Sequence, residues 1–155
     1  MRKKAEVPLP AVDQVDCSFL ETLLGYHARR ASLAVIEVFL ERMAPYGLRP
    51  VDFSVLSLIS HNPGITSRQL CGTLGILPPN LVGMVNSLEK RELVARKPHP
   101  RDGRAMGLHL TAAGRKLIHD AEATAAELES EVAARLTANE QKTLLRLLKK
   151  VYRPQ

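Results

Sequence analysis

The 155-residue chain is 45% hydrophobic and 25% charged with a net charge of +6, a composition that excludes wholesale disorder and suits one domain with its own core. No apolar run approaches the ~18 residues of a membrane span, and behind Arg2-Lys3-Lys4 come Glu6, Pro8, Pro10 and Asp13 where a signal peptide requires an apolar stretch; a cytoplasmic protein with a flexible N-terminal arm over residues 1–17 is expected. The two cysteines, Cys17 and Cys71, fit no metal-binding spacing, so neither a disulfide framework nor a structural metal nor any cofactor is indicated.

Charge is unevenly placed. Residues 1–48 balance six basic against six acidic groups, and residues 111–155 carry eight against six. The middle segment, 49–110, holds eight (Arg49, Arg68, Lys90, Arg91, Arg96, Lys97, Arg101, Arg104) against four. A local excess of this kind is what a nucleic-acid footprint requires, although a solvated basic face would read the same way.

In chain order, Leu20, Leu23, Leu24, Ala31, Ala34, Val35, Val38, Phe39 and Met43 recur at helical spacing and predict a helix over residues 18–44. Pro45-Tyr46-Gly47 ends it. Pro50 suits the first turn of a second helix, roughly 51–60, in which Phe53, Val55, Leu56, Leu58 and Ile59 are largely buried. After the turn His61-Asn62-Pro63-Gly64, Thr66-Ser67-Arg68-Gln69 matches a capping box and opens a short helix with Leu70, Cys71 and Leu74 inward. Gly75 is placed to close that helix in the left-handed conformation. Pro78-Pro79 starts the next, with Leu81, Val82, Val85 and Leu88 as its buried stripe.

Two short helices joined by a Gly-containing turn make a helix-turn-helix. On the second helix the outward positions are Asn80, Gly83, Met84, Asn86, Ser87, Lys90 and Arg91. They are small, amide-bearing or basic, where an ordinary solvated face is rich in Glu and Lys. Asn pairs with base edges, and Gly and Ser let the backbone approach the groove. Periodicity then changes to two strand-like runs, Leu93–Lys97 and Met106–Leu110, flanking Pro98-His99-Pro100-Arg101-Asp102-Gly103. Such a β-wing places basic residues beside the recognition helix. Thr111 caps a long helix, roughly 112–135, along the seam Leu117, Ile118, Ala121, Ala125, Leu128 and Val132. Thr137-Ala138-Asn139-Glu140 is a second capping box before a last helix carrying Leu144, Leu145, Leu147, Leu148 and Val151.

The fold class expected is mainly α with a small β-wing. Residues 49–110 form the winged helix-turn-helix, and residues 18–48 and 111–155 supply helices that pair with a second copy in a homodimer. A dimer presents two recognition helices to half-sites about one helical turn apart on double-stranded DNA. An enzyme is disfavoured: no nucleophile elbow, phosphate-binding Gly loop or metal spacing is present. A general nucleic-acid binder without an operator is the rival, opposed by the modest charge, a reader face poor in Lys, and the scarcity of aromatics for base stacking.

The stretches RDGRAMGLHLTAAGRKL and LVGMVNSLEKRELVARKPHP carry a resemblance to the MarR family (multiple antibiotic resistance regulators), extending over about residues 20–152. The matching wing residues are Asp102 and Arg104, followed by Leu110, Thr111 and Gly114. The resemblance implies a triangular homodimer and repression relieved by a small, often aromatic, effector. It also implies a positioning role for Asp102 and Arg104, wing contact through Arg101, and base reading by Pro79, Asn80, Gly83, Met84 and Asn86. Ser67, Arg68 and Gln69 on the preceding helix, with Lys90, Arg96 and Lys97, are candidate backbone contacts; for Gln69 the capping box, and for the lysines and Arg96 plain solvation, are the alternatives. Arg101 and Arg104 could equally form surface ion pairs with Asp102. Tyr26, His27, Phe53 and His61 lie near the family's effector crevice, with ordinary core and surface roles as the alternative. Cys17 is read as an unremarkable thiol. Two departures stand out: Glu92 occupies a position commonly Gly, which implies a different helix end, and Pro78-Pro79 replaces polar capping residues.

Overall fold

The computed structural model describes residues 12–153, so most of the expected N-terminal arm lies outside the described residues. Two compact units divide the chain, one ending at Leu33 and the other beginning at Ala34.

In the first unit a 3-10 turn, Leu20–Thr22, precedes the start of α1 (Leu24–Met43). The helix expected from residue 18 is therefore broken. Leu23 takes extended backbone at φ −98° and ψ 124°. The Thr22 hydroxyl donates to the Phe19 carbonyl at 2.7 Å, and Ser18 N donates to Asp16 Oδ1 at 2.9 Å. Local side-chain bonds of this kind compete with a helix, which is why apolar spacing alone ran past its true start.

The second unit continues through α2 (Pro50–His61), β1 (Ile65–Thr66), α3 (Ser67–Leu74), α4 (Pro78–Lys90), β2 (Val94–His99), β3 (Asp102–Leu110), α5 (Ala112–Val132) and α6 (Ala138–Tyr152). The three strands form an antiparallel sheet in the order β1-β3-β2. The core gathers aliphatic side chains from helices and sheet alike: Met43, Leu56, Ile59, Leu70, Leu81, Leu88, Leu108 and Ile118 are all fully buried. Phe39 meets Phe53 edge to face at 5.6 Å between ring centroids, a favoured aromatic geometry. The α5 seam packs on α2, with Ile118, Ala121 and Leu128 buried.

Both expected wing strands are longer than the apolar runs that announced them, because pairing extends through polar residues to a two-residue tip, Pro100-Arg101. Register slips between Pro98 and His99, where β3 carries extra residues against β2. Pro98 has no N–H to give the ladder, so an irregularity falls naturally there. Strand β1 was not foreseen; two residues are too few to show a period. It pairs Ile65 with Leu108 and Thr66 with Gly107.

Helix α6 has no buried residue. Leu144, Leu145, Leu147 and Val151 are 45–62% exposed along it.

Candidate nucleic-acid interface

The α3–turn–α4 module is built as its capping residues dictate. Gln69 N donates to Thr66 Oγ1 at 3.3 Å, and Gln69 Oε1 accepts from Thr66 N at 3.0 Å. That closes the capping box and commits the Gln69 carbonyl oxygen to it; Ser67, Arg68 and Gln69 are all exposed, and of the three only Gln69 serves the cap. Gly75 ends α3 at φ 64° with its N–H on the Cys71 carbonyl. Cys71 is half-buried rather than fully inside.

Helix α4 begins without a side-chain cap at Leu77; Pro78 and Pro79 need no partner for an N–H they lack. Its buried line is Leu81, Val85 and Leu88. Val82, expected in that line, is 51% exposed instead. It sits about a quarter-turn from Leu81, off the core side, so an apolar residue borders the exposed face of the helix. Opposite the core, Pro79, Gly83, Asn86 and Lys90 follow one another at steps of four, three and four, one stripe along the helix, and all are exposed. Asn80 is exposed beside the stripe, and Met84 is half-buried.

Arg91, expected to face outward with the stripe, is spent elsewhere. Its guanidinium donates to the carbonyls of Tyr46 and Gly47 at 2.9 and 3.0 Å, tying the end of α4 to the turn before α2. Glu92 then adopts φ 58°. Its N–H bonds to the Glu89 carbonyl at 2.8 Å, and Leu93 N bonds to the Leu88 carbonyl at 3.0 Å. This is the paired closure usually made with Gly, so the different helix end expected from Glu92 does not occur. The backbone is the Gly-type one, held by a residue that enters it less readily.

The wing carries the remaining cations. Asp102 Oδ1 accepts from the backbone N of Arg104 at 3.1 Å, and Arg101 N donates to His99 Nδ1 at 3.3 Å. Neither guanidinium pairs with Asp102 among the described residues. The aspartate thus shapes the hairpin tip through its backbone and leaves both arginines facing solvent. Arg96 is different. Its Nη2 lies 2.8 Å from Asn86 Oδ1 and 3.2 Å from Glu89 Oε2.

These partnerships sharpen the electrostatics of residues 49–110. Of the four acidic groups, Asp52 is buried against Arg49 (Nε to Oδ2, 2.8 Å), Glu89 faces Arg96, and Asp102 accepts from the Arg104 backbone N. Hydrogen bonding to Asp52 holds the Arg49 guanidinium still more firmly protonated than usual. Arg68, Lys90, Lys97, Arg101 and Arg104 make no ion pair among the described residues, and all five are exposed. They stand on α3, α4 and the wing.

The residues expected near an effector fall in both units. In the first, Tyr26 and His27 stack edge to face at 5.6 Å, and His27 Nε2 lies 2.7 Å from the Glu21 carbonyl. In the second, Phe53 is half-buried against Phe39, and His61 Nε2 lies 3.0 Å from Glu122 Oε1, which also accepts from the Ser57 hydroxyl at 2.7 Å. No cluster of three or more His, Cys, Asp or Glu side chains suited to a metal occurs among the described residues. No helix there is long and apolar enough to cross a membrane.

The sequence model of the MarR family matches residues 46–105, from the turn before α2 through most of the wing. Among curated relatives, a putative transcriptional regulatory protein for the hcr operon of Thauera aromatica is 31% identical, covering 84% of this chain and 79% of that protein. The HTH-type transcriptional repressor Rv2887 of Mycobacterium tuberculosis is 32% identical, covering 83% and 92%. Among solved structures, the transcriptional repressor CouR bound to a 23-mer DNA duplex superposes with a TM-score of 0.84 at 38% identity, covering 90% of this chain and 99% of that one. CouR bound to p-coumaroyl-CoA gives 0.83 at 36% identity, covering 92% and 100%. With a capped helix-turn-helix, a basic wing and relatives that match over most of their own length, the chain belongs to the MarR family of winged helix-turn-helix transcriptional regulators.

Proposed function

We propose that this protein is a homodimeric transcriptional repressor that binds a pseudo-palindromic operator and is released from it by a small-molecule effector. The observation that carries the reading is the α4 stripe of Pro79, Gly83, Asn86 and Lys90, exposed beside a wing whose Arg101 and Arg104 are unpaired among the described residues. Neutral small and amide side chains read bases; the surrounding cations hold the phosphates. In this reading Asn80, Met84 and Asn86 meet base edges, while Ser67, Arg68, Lys90, Lys97, Arg101 and Arg104 serve the backbone. The exposed apolar face of α6 is the natural seat of a second copy, with α1 and α5 contributing. Working on DNA places the protein in the cytoplasm, and no catalytic activity is needed. The likeness to CouR recommends an aryl-CoA thioester as the first effector to try.

The test is a titration of the full chain against the DNA upstream of its own gene and a scrambled duplex, at two salt concentrations. If each protomer neutralises about four phosphates, log K falls against log salt with a slope near −7. Arg101→Ala weakens both duplexes and flattens the slope by roughly two units, about one for each protomer's lost contact; Asn80→Ala relaxes preference at one base position and leaves the slope alone. Adding p-coumaroyl-CoA at saturation lowers operator affinity. Equal, weak and salt-abolished binding to both duplexes would refute the regulator reading.

A further inference from the structure

Arg96 was a candidate phosphate contact, yet its position argues for another task. It extends from β2, the first wing strand, across to α4, where Nη2 meets Asn86 Oδ1 at 2.8 Å and Glu89 Oε2 at 3.2 Å. A guanidinium offers only donors. The atom of the Asn86 carboxamide that faces it must therefore be the oxygen, which fixes the orientation of an amide otherwise free to flip. Glu89, one turn along from Asn86 and half-buried, meets the same Nη2 and anchors it beside the amide. Asn86 itself is exposed on the stripe opposite Leu81, Val85 and Leu88.

We propose that Arg96 is a positioning residue that sets the base preference of Asn86, an inference that rests on the operator-binding reading above. With its oxygen turned to the wing, Asn86 presents its two N–H donors to the major groove. The bidentate pairing of Asn with adenine needs one donor and one acceptor on the same amide, directed at N7 and N6. An amide that leads with donors fits an edge bearing acceptors alone, which in the major groove means guanine N7 and O6 or thymine O4. The wing thus acts on sequence choice without touching a base, through one side chain on the neighbouring helix. Glu89 completes the arrangement by compensating the Arg96 charge, so the guanidinium stays with the amide rather than turning to a phosphate.

The experiment selects bound sequences from a pool of randomised duplexes with the wild-type chain, Asn86→Ala, Arg96→Met and Arg96→Lys, followed by titrations on the four variants of any position that changes. Arg96→Met keeps an apolar stem and removes every donor; Arg96→Lys keeps a donor and the charge. Asn86→Ala is expected to flatten preference at one position of each half-site. Arg96→Met is expected to move that same position toward adenine, by roughly tenfold relative to guanine or thymine, leaving the other positions unchanged; Arg96→Lys restores the wild-type choice. Thermal melting of each variant within a few degrees of wild type confirms that the fold is kept. A uniform loss of affinity in Arg96→Met with base choice unaltered would overturn the inference and make Arg96 a phosphate contact, with the regulator reading intact. No position flattened by Asn86→Ala would overturn it as well. A wild-type chain that enriches no sequence would take down the regulator reading and the inference together.

Discussion

The Thr111 hydroxyl donates to the Glu92 carbonyl at 2.6 Å and accepts from Gly114 N at 3.0 Å. One side chain thus caps α5 and pins the residue that ends α4, nineteen positions earlier. Thr111→Val removes both bonds at nearly constant volume. Loss of a cap is worth about 1 kcal/mol, and the orphaned carbonyl adds a comparable amount. A destabilisation of about 1–2 kcal/mol is expected in denaturant melts at fixed protein concentration. A change below a few tenths would show that water replaces the hydroxyl without loss.

Glu92 holds φ 58° with its carboxylate in no hydrogen bond or ion pair among the described residues. The left-handed conformation disfavours any residue with a Cβ by about 1–2 kcal/mol, against which Gly gives up roughly 0.5–1 kcal/mol of unfolded-chain entropy. The steric gain exceeds the entropic loss, so Glu92→Gly stabilises by about 0.5–1 kcal/mol. Chemical denaturation of the two proteins side by side checks the sign; a less stable Gly variant would show that the Glu92 side chain contributes more than its backbone strain costs.

Gly114 sits in the first turn of α5 where an ideal Cβ would run into the Leu93 carbonyl oxygen and stand 3.0 Å from its carbon. Helix propensity favours Ala over Gly by about 1 kcal/mol. The collision is with backbone rather than a movable side chain, so overpacking prevails and Gly114→Ala destabilises by about 1–3 kcal/mol. A variant that melts above wild type would show that the Leu93 backbone yields freely.

Thr137 N and Oγ1 both donate to Glu140 Oε2, at 2.8 and 2.9 Å, and these bonds hold the carboxyl below its ordinary range. A depressed folded value means that the cap contributes above the unfolded carboxyl's pKa of about 4.3 and is lost as pH falls through the folded value. The melting-temperature gap between wild type and Glu140→Ala should therefore be widest near neutral pH and narrow on acidification below about pH 4. A gap constant across that window would show that the ionised form adds nothing.

The parts of the fold that sequence announced are those governed by short-range chemistry. Thr66, Thr111 and Thr137 cap where their spacing to Gln69, Gly114 and Glu140 says they must. Gly75 and the prolines punctuate as their backbones require. What escaped was set by partners distant in sequence. Strand β1 exists because Gly107, which has no Cβ, lets β3 approach Gly64 so closely that an added carbon would lie 2.8 Å from its carbonyl. Arg91 looked like a reader until Tyr46 and Gly47 supplied carbonyls for it. Val82 was assigned to the core by hydrophobicity, whereas helix geometry turned it outward. The candidate interface was legible as a segment; which of its arginines are already engaged was not.

Thr66 belongs to two structures at once: it caps α3, and it pairs with Gly107 in the sheet that carries the wing. The span from Arg68 on α3 to Arg101 at the wing tip is therefore bridged by hydrogen-bonded backbone through β3. If Arg68 and Arg101 grip phosphates as proposed, those phosphates must fit that span, and the width of a half-site belongs to the single chain. Adaptation to operators of different length would then fall to the joint between the protomers of the proposed homodimer.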